Sequence, residues 1–233
     1  MIDPMKNLHK AYYKDYFSKV DFSAADIDTK NNQDAIAAAN ATMTKAELFV
    51  IPAPIPELAT FSCYISYPGL ITGTGIAHET GIQGEFKLGL HFDYTYGMPV
   101  IYGSSVKGVL RNYFLDEYKE ADAHIVLADI FDGIRNGKPK PIYERDVFFD
   151  AVVIEDNDGK LLETDAITPH SENGLKNPVP ISFLKIAPGC RVEFRFKLVD
   201  SVITAKKKLE LFKNIILTYG IGAKTNIGYG QFE

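Results

Sequence analysis

The closing stretch Gly220-Ile-Gly-Ala-Lys-Thr-Asn-Ile-Gly-Tyr-Gly-Gln-Phe-Glu233 decides how this chain is read. It sets four glycines, one lysine and one tyrosine in a short polar loop closed by Phe232. Glycine lacks a Cβ, so it reaches positive φ cheaply and lets a ligand approach main-chain N–H groups, which gather into nests for anions. Gly220, Gly222, Gly228 and Gly230 would shape such a cradle, Lys224 and Thr225 would add a charge and a hydroxyl, and Tyr229 reads equally as a core ring or a stacking face. Two familiar phosphate motifs fail on spacing. A Walker A loop needs glycine ahead of Lys224-Thr225, where Ala223 stands, and a dinucleotide fingerprint needs a third glycine where Thr225 stands.

Working back from the loop, Thr204 to Tyr219 is an amphipathic helix, and Cys190 to Leu198 is a strand. Val192, Phe194, Phe196 and Leu198 share one of its faces; Arg191, Glu193, Arg195 and Lys197 share the other. Further strands are expected at Phe61 to Tyr67, Glu85 to Phe92 and Asp146 to Ile154. Helices are expected from Ser104 to Glu117, capped by Ser104 or Ser105, and around His124 to Phe131. Too few parallel crossovers exist for a doubly wound sheet, so the pattern predicts an α+β fold, an antiparallel sheet backed by helices. Residues 1–46 read as a helical N-terminal extension, set off by the stiff Ile51-Pro-Ala-Pro-Ile-Pro56 linker, and 47–233 as the main domain.

A second anion motif is Gly103-Ser-Ser-Val-Lys-Gly-Val-Leu-Arg111. Gly103, Ser104 and Ser105 sit at a helix start, where free N–H groups and the helix dipole favour a phosphate. Lys107 and Arg111, four apart, project from one helix face.

Composition bounds the function. A content of 46% hydrophobic residues is ample for a core, and the two cysteines, Cys63 and Cys190, fit neither a metal site nor a disulfide framework. The start has no apolar signal core and no apolar run approaches a membrane span, so a cytoplasmic protein without membrane contact is expected. The net charge of −5 conceals a split, with residues 141–180 net −6 and residues 181–233 net +5. The acidic segment is expected to face solvent or a protein partner, and the basic one a nucleic acid.

The Gly103 and Gly220 motifs together resemble the RAMP proteins of type III CRISPR systems. Val147-Phe-Phe-Asp-Ala151, Thr164-Asp-Ala-Ile-Thr-Pro-His170 and Pro178-Val-Pro-Ile-Ser-Phe-Leu184 make the likeness greatest to the sixth RAMP subunit of the Cmr (type III-B) complex. The resemblance covers roughly residues 58–233. It implies a ferredoxin-like, RNA-recognition-type fold and a backbone subunit that grips the 3′ part of a CRISPR RNA beside other Cmr-type subunits, with target RNA as a further partner. It also implies that Lys107, Arg111 and Lys224 contact phosphates and that His170 touches RNA. The chain departs from the family in carrying Tyr102 where proline commonly precedes Gly-Ser-Ser, which would add a stacking surface.

Catalytic chemistry has little support in the residues. RNA cleavage needs a positioned acid and base, and none of His9, His78, His91, His124 and His170 pairs in sequence with one. Asp129 and Asp132 lie three apart, as solvated carboxylates commonly do. No catalytic residue, metal or cofactor is therefore assigned. The alternative function is a metal-independent endoribonuclease that processes CRISPR RNA; a third is a protein-protein adaptor docking through the acidic segment.

Overall fold

The computed structural model describes residues 7–73, 78–87, 89–168 and 180–233. The chain opens with α1 (Leu8–Tyr13), capped by Asn7, whose Oδ1 accepts from Lys10 N at 2.8 Å. A 3-10 turn at Asp15–Phe17 leads to α2 (Lys30–Met43), capped by Thr29. Buried Asn32 knits the connection by donating to the carbonyls of Asp21 and Ile27. Leu8, Tyr12 and Ile36 are fully buried in the same hydrophobic core as the sheet that follows.

Next come β1 (Ala59–Tyr64), β2 (Val100–Ile101), α3 (Gly103–Glu117) and α4 (Ala123–Leu127), which runs on as a π-turn to Asp132. The small hairpin β3 (Ile134–Arg135) and β4 (Lys138–Pro139) precedes β5 (Val147–Phe148) and β6 (Ala151–Glu155). Then follow β7 (Leu162–Ile167), β8 (Ile181–Ile186), β9 (Arg191–Lys197) and α5 (Ala205–Tyr219).

The main sheet has the order β1-β9-β6-β2, and every pairing in it is antiparallel. β5 pairs with β9 ahead of β6, so the expected strand over 146–154 is split at Phe149 and Asp150. At the free edge of β1 the end of the chain returns, with Ile65 bridging Phe232 and Tyr64 exchanging both backbone hydrogen bonds with Glu233. The residues of β9 alternate as anticipated. Val192, Phe194 and Phe196 are buried, Phe194 and Phe196 stack on Phe61, and Phe196 meets Phe212 of α5 at 5.3 Å. Each such ring removed from water contributes about 2 to 3 kcal/mol.

Four expectations need correction. The described residues of the 85–92 stretch form no strand, because Glu85 is buried and its carboxylate accepts from Thr80 N, Thr80 Oγ1 and Gly81 N, curling the chain locally. Among the described residues there, only Phe92 makes a bridge, to Pro99. Arg195, on the nominally outer face of β9, is buried beneath the proline-rich segment and donates to Pro52 O and Glu193. Neither Ser104 nor Ser105 caps α3; the cap position is Tyr102, with no side-chain bond. The fourth correction adds a pair that was not anticipated, β7 with β8, antiparallel and in register from Leu162↔Ile186 to Ile167↔Ile181.

Candidate nucleic-acid interface

The closing loop is built against its own chain. Ile221 N donates to Gly230 O, Gly230 N to Gly69 O, and Ala223 N to Ile71 O. At Gly230 (φ 66°) a Cβ would collide with Ile221 O, and at Gly222 (φ 100°) with Ile71 O. These glycines therefore serve close packing of backbone on backbone, where the sequence suggested close approach of a ligand. Gly220 likewise abuts Gly230 O and Gln231, while Gly228 lies beside Pro68.

The outer part of the loop is different. Lys224 adopts the left-handed conformation (φ 61°) and heads a 3-10 turn over Thr225–Ile227. Among the described residues, the N–H groups of Gly222, Lys224, Thr225 and Asn226 donate to no protein acceptor, and the Lys224 ammonium has no carboxylate partner. A left-handed residue followed by a right-handed turn aims successive N–H groups into one concavity, the geometry of an anion nest.

Tyr229 resolves as a core ring. It is buried edge-on to Phe183 and its hydroxyl donates to Asp165 Oδ2 at 2.8 Å. Burial, followed by the hydrogen bond to Asp165 and that group's charge, raises the pKa of its hydroxyl. The exposed ring at this end is Tyr67, 85% accessible at the tip of a turn closed by Gly69 N donating to Ser66 O. That turn is held by the loop itself, since Ser66 N donates to Gln231 O. The Pro68-Gly69 pair signals a surface turn in the sequence, yet nothing local says that it packs beside the last ten residues.

The α3 start is arranged otherwise than expected. The Gly103 N–H, expected to meet a phosphate, donates to Asp150 Oδ1 at 2.7 Å, so a carboxylate from the β5–β6 break already answers the helix dipole. Ser104 is exposed and Ser105 half-buried. Lys107 lies 5.9 Å over the Phe148 ring and has no carboxylate partner among the described residues, whereas Arg111 pairs with Asp132 at 2.9 Å. The two glycine motifs do not share one cradle. The closing segment extends the free edge of β1, and α3 begins beside the β5–β6 break, three strand positions or roughly 14 Å across the sheet.

The charge split proves partly internal. Lys185 of β8 sits 2.9 Å from Asp165 and 3.5 Å from Glu163, Arg191 pairs with Glu155 at 2.8 Å, and Lys208 with Asp146 at 2.7 Å. Burial alone would raise the Asp165 carboxyl; Lys185 and the Tyr229 hydroxyl outweigh it and hold the group below the usual carboxylate range. Much of the acidic segment is thus spoken for by the basic one, which leaves Lys107 and Lys224 as the candidate phosphate contacts free of carboxylates.

Of the remaining candidates, His170 lies outside the described residues. His78 is enclosed by Tyr12, Tyr16 and Phe17, donates from Nε2 to Tyr12 O, and is pushed down to about 4 by burial. His91 stacks on Tyr102 at 4.3 Å. Cys190 is fully buried, its thiol pushed up to about 12 chiefly by that burial. Asp129 is a buried staple for Arg135 and Lys140 rather than a solvated carboxylate. No group of three or more His, Cys, Asp or Glu is placed to hold a metal ion among the described residues, and no helix there is long and apolar enough to cross a membrane.

A family model described as the RAMP superfamily matches residues 63–233. The "CRISPR system CMR subunit Cmr6" of Saccharolobus solfataricus is 29% identical over 152 residues, covering 64% of this chain and 49% of that protein. The corresponding Pyrococcus furiosus subunit is 25% identical over 213 residues, 65% of this chain and 62% of its own. A chain in the cryo-EM structure of the Type III-B Cmr-beta bound to cognate target RNA superimposes with a TM-score of 0.55 at 28% identity, covering 76% of this chain and 57% of that one. The chain therefore spans about half to three fifths of the length of these relatives. With a match that reaches from β1 through the closing loop, well over half of its length, the chain belongs to the RAMP superfamily.

Proposed function

We propose that this protein is a non-catalytic RNA-binding subunit of a type III-B (Cmr) CRISPR effector complex, holding the 3′ part of the guide RNA by its phosphate backbone. The carrying observation is the outer closing loop, where a lysine without a carboxylate partner stands beside four N–H groups without a protein acceptor, both among the described residues. Such a surface reads phosphates and leaves sequence to base pairing. Similarity to Cmr6 subunits and to a chain of an RNA-bound Cmr assembly supports the same assignment, with other Cmr-type subunits, guide RNA and target RNA as partners. We read 47–233 as the RAMP domain and 1–46 as its helical extension.

The fold reading follows from the pairing order. Taken as β1, α3, β5–β6, β9, α5 and the Phe232 edge, the elements run β-α-β-β-α-β. The edge order, Phe232 then β1, β9 and β6, supports the reading of a ferredoxin-like sheet, with β2 added outside.

The test is fluorescence anisotropy of labelled single-stranded RNAs of unrelated sequence across a salt series. Lys224→Ala and Lys107→Ala should each weaken all sequences alike and reduce the slope of log K against log salt by about 0.7 for each phosphate no longer neutralised. Losses confined to particular sequences would refute backbone gripping. Chelator-resistant cleavage of the RNA, abolished by His170→Ala, would establish the endoribonuclease instead.

A further inference from the structure

We propose that His9, Tyr13, Tyr94, Tyr102 and His91 form a stacking surface for the bases of a single-stranded RNA segment, a second contact region away from the closing loop. The inference rests on the RNA-binding reading above and assigns a role to the N-terminal helix. His9 lies 5.1 Å from Tyr94 and 4.8 Å from Tyr13, and His91 stacks on Tyr102 at 4.3 Å with 22° between the planes. Tyr13 joins the two groups, since its hydroxyl donates to Leu90 O next to His91 and its pKa is raised, after burial, by neighbouring Tyr102.

These rings come from two segments some eighty residues apart, and the fold fixes them together. Leu8 N donates to Gly97 O at 2.9 Å, and a Cβ on Gly97 would collide with Asn7, so α1 is seated directly on the 90–102 loop. Tyr94 is 80% exposed, Tyr13 and Tyr102 about half as much. Each member pairs a flat face with a polar edge, and no exposed aliphatic side chain lies among residues 90–102. A protein-docking core would be depleted in charge, whereas Lys14 and Lys107, without carboxylate partners among the described residues, flank these rings. Bases stack on such rings irrespective of identity.

The surroundings suit a polyanion. Lys14 follows Tyr13 on α1 and has no carboxylate partner among the described residues; Lys10 is paired with Asp15. Tyr102 leads directly into exposed Ser104 and unpaired Lys107. Of the nearby acids, Asp93 is engaged by the N–H groups of Thr95 and Tyr96 and Asp150 by that of Gly103. A strand crossing the rings would carry its phosphates toward Lys107 on α3.

The experiment uses the full chain and a single-stranded RNA containing 2-aminopurine, whose fluorescence is quenched on stacking, beside an abasic oligonucleotide of equal length. Tyr94→Ala is expected to weaken RNA binding about tenfold and remove the quench, while Tyr94→Phe keeps both and neither changes binding of the abasic strand. Lys224→Ala should weaken both strands. If Tyr94→Ala and Tyr102→Ala leave affinity and quench intact while Lys224→Ala still weakens binding, the stacking surface is wrong and the functional reading stands. If the tyrosine variants lose binding and Lys224→Ala does not, the ladder holds and the loop drops out. Wild-type chain that binds no RNA sinks both. Tyrosine variants that lose only a neighbouring protein subunit, with RNA binding unchanged, would make this a protein surface and overturn the proposal.

Discussion

The Tyr229 hydroxyl donates to Asp165 Oδ2 at 2.8 Å, and Lys185 Nζ stands 2.9 Å from the same oxygen. The closing loop is thereby pinned to the β7–β8 pair, so its outer rim is held by bonds made on its inner side. Tyr229→Phe removes one part-buried hydrogen bond and leaves Asp165 its lysine, a loss of about 1 kcal/mol. Tyr229→Ala also empties the ring's site and should cost about 3 kcal/mol or more. Urea midpoints check both. RNA affinity of the phenylalanine variant should equal wild type, and a tenfold fall would place the ring at the RNA.

Gly230→Ala should be among the most damaging single changes in the loop. It combines positive φ, costing about 1 to 2 kcal/mol, with a collision against Ile221 O that backbone must relieve. A drop of roughly 2 kcal/mol or more is expected in denaturant unfolding. Gly228→Ala has positive φ but only an ordinary contact with Pro68, so it should cost visibly less. Equal losses at the two positions would contradict the packing account.

Lys208 and Asp146 form a 2.7 Å ion pair with both side chains fully buried, completed by Val199 O accepting from the ammonium and Val199 N donating to the carboxylate. Lys208→Met strands that carboxylate and should cost about 3 to 5 kcal/mol. Replacing both partners by apolar residues should restore part of the loss, because no unpaired charge remains. A single variant with an unchanged midpoint would show that the pair is not buried in solution.

Acid should loosen the N-terminal helix first. His78 is held neutral by burial, its folded value about 4 against an ordinary 6.5, so the unfolded chain binds the extra proton between these values. The associated stability is complete above pH 6.5, declines as pH falls toward 4 and amounts to about 3 kcal/mol over the window. Hydrogen exchange at α1, followed with pH in wild type and His78→Phe, provides the check: the variant should lose the pH slope whatever its absolute stability.

Much of the frame was legible along the chain. The alternation of Val192, Phe194 and Phe196 and the amphipathic run to Tyr219 are short-range patterns set by strand and helix periods. Both elements appear as anticipated, as does α3. Lys107 and Lys224 could be named from their motifs, and both stand without carboxylate partners among the described residues.

What sequence left open was each time a matter of distant neighbours. Arg195 reads as an outer-face cation until the proline segment covers it, and the Gly103 N–H reads as an anion donor until Asp150 takes it. The acidic and basic segments read as two faces until β7, β8 and β9 bring their charges together. The glycines of the closing loop announce close approach, but only packing decides that the approaching group is Ile221 O or Ile71 O. Composition and periodicity settled the α+β class, because hydrophobic burial acts through local repeats. Tertiary structure alone decided which polar groups stay free for a ligand, because a hydrogen-bond donor is used up by whichever acceptor the fold brings within about 3 Å.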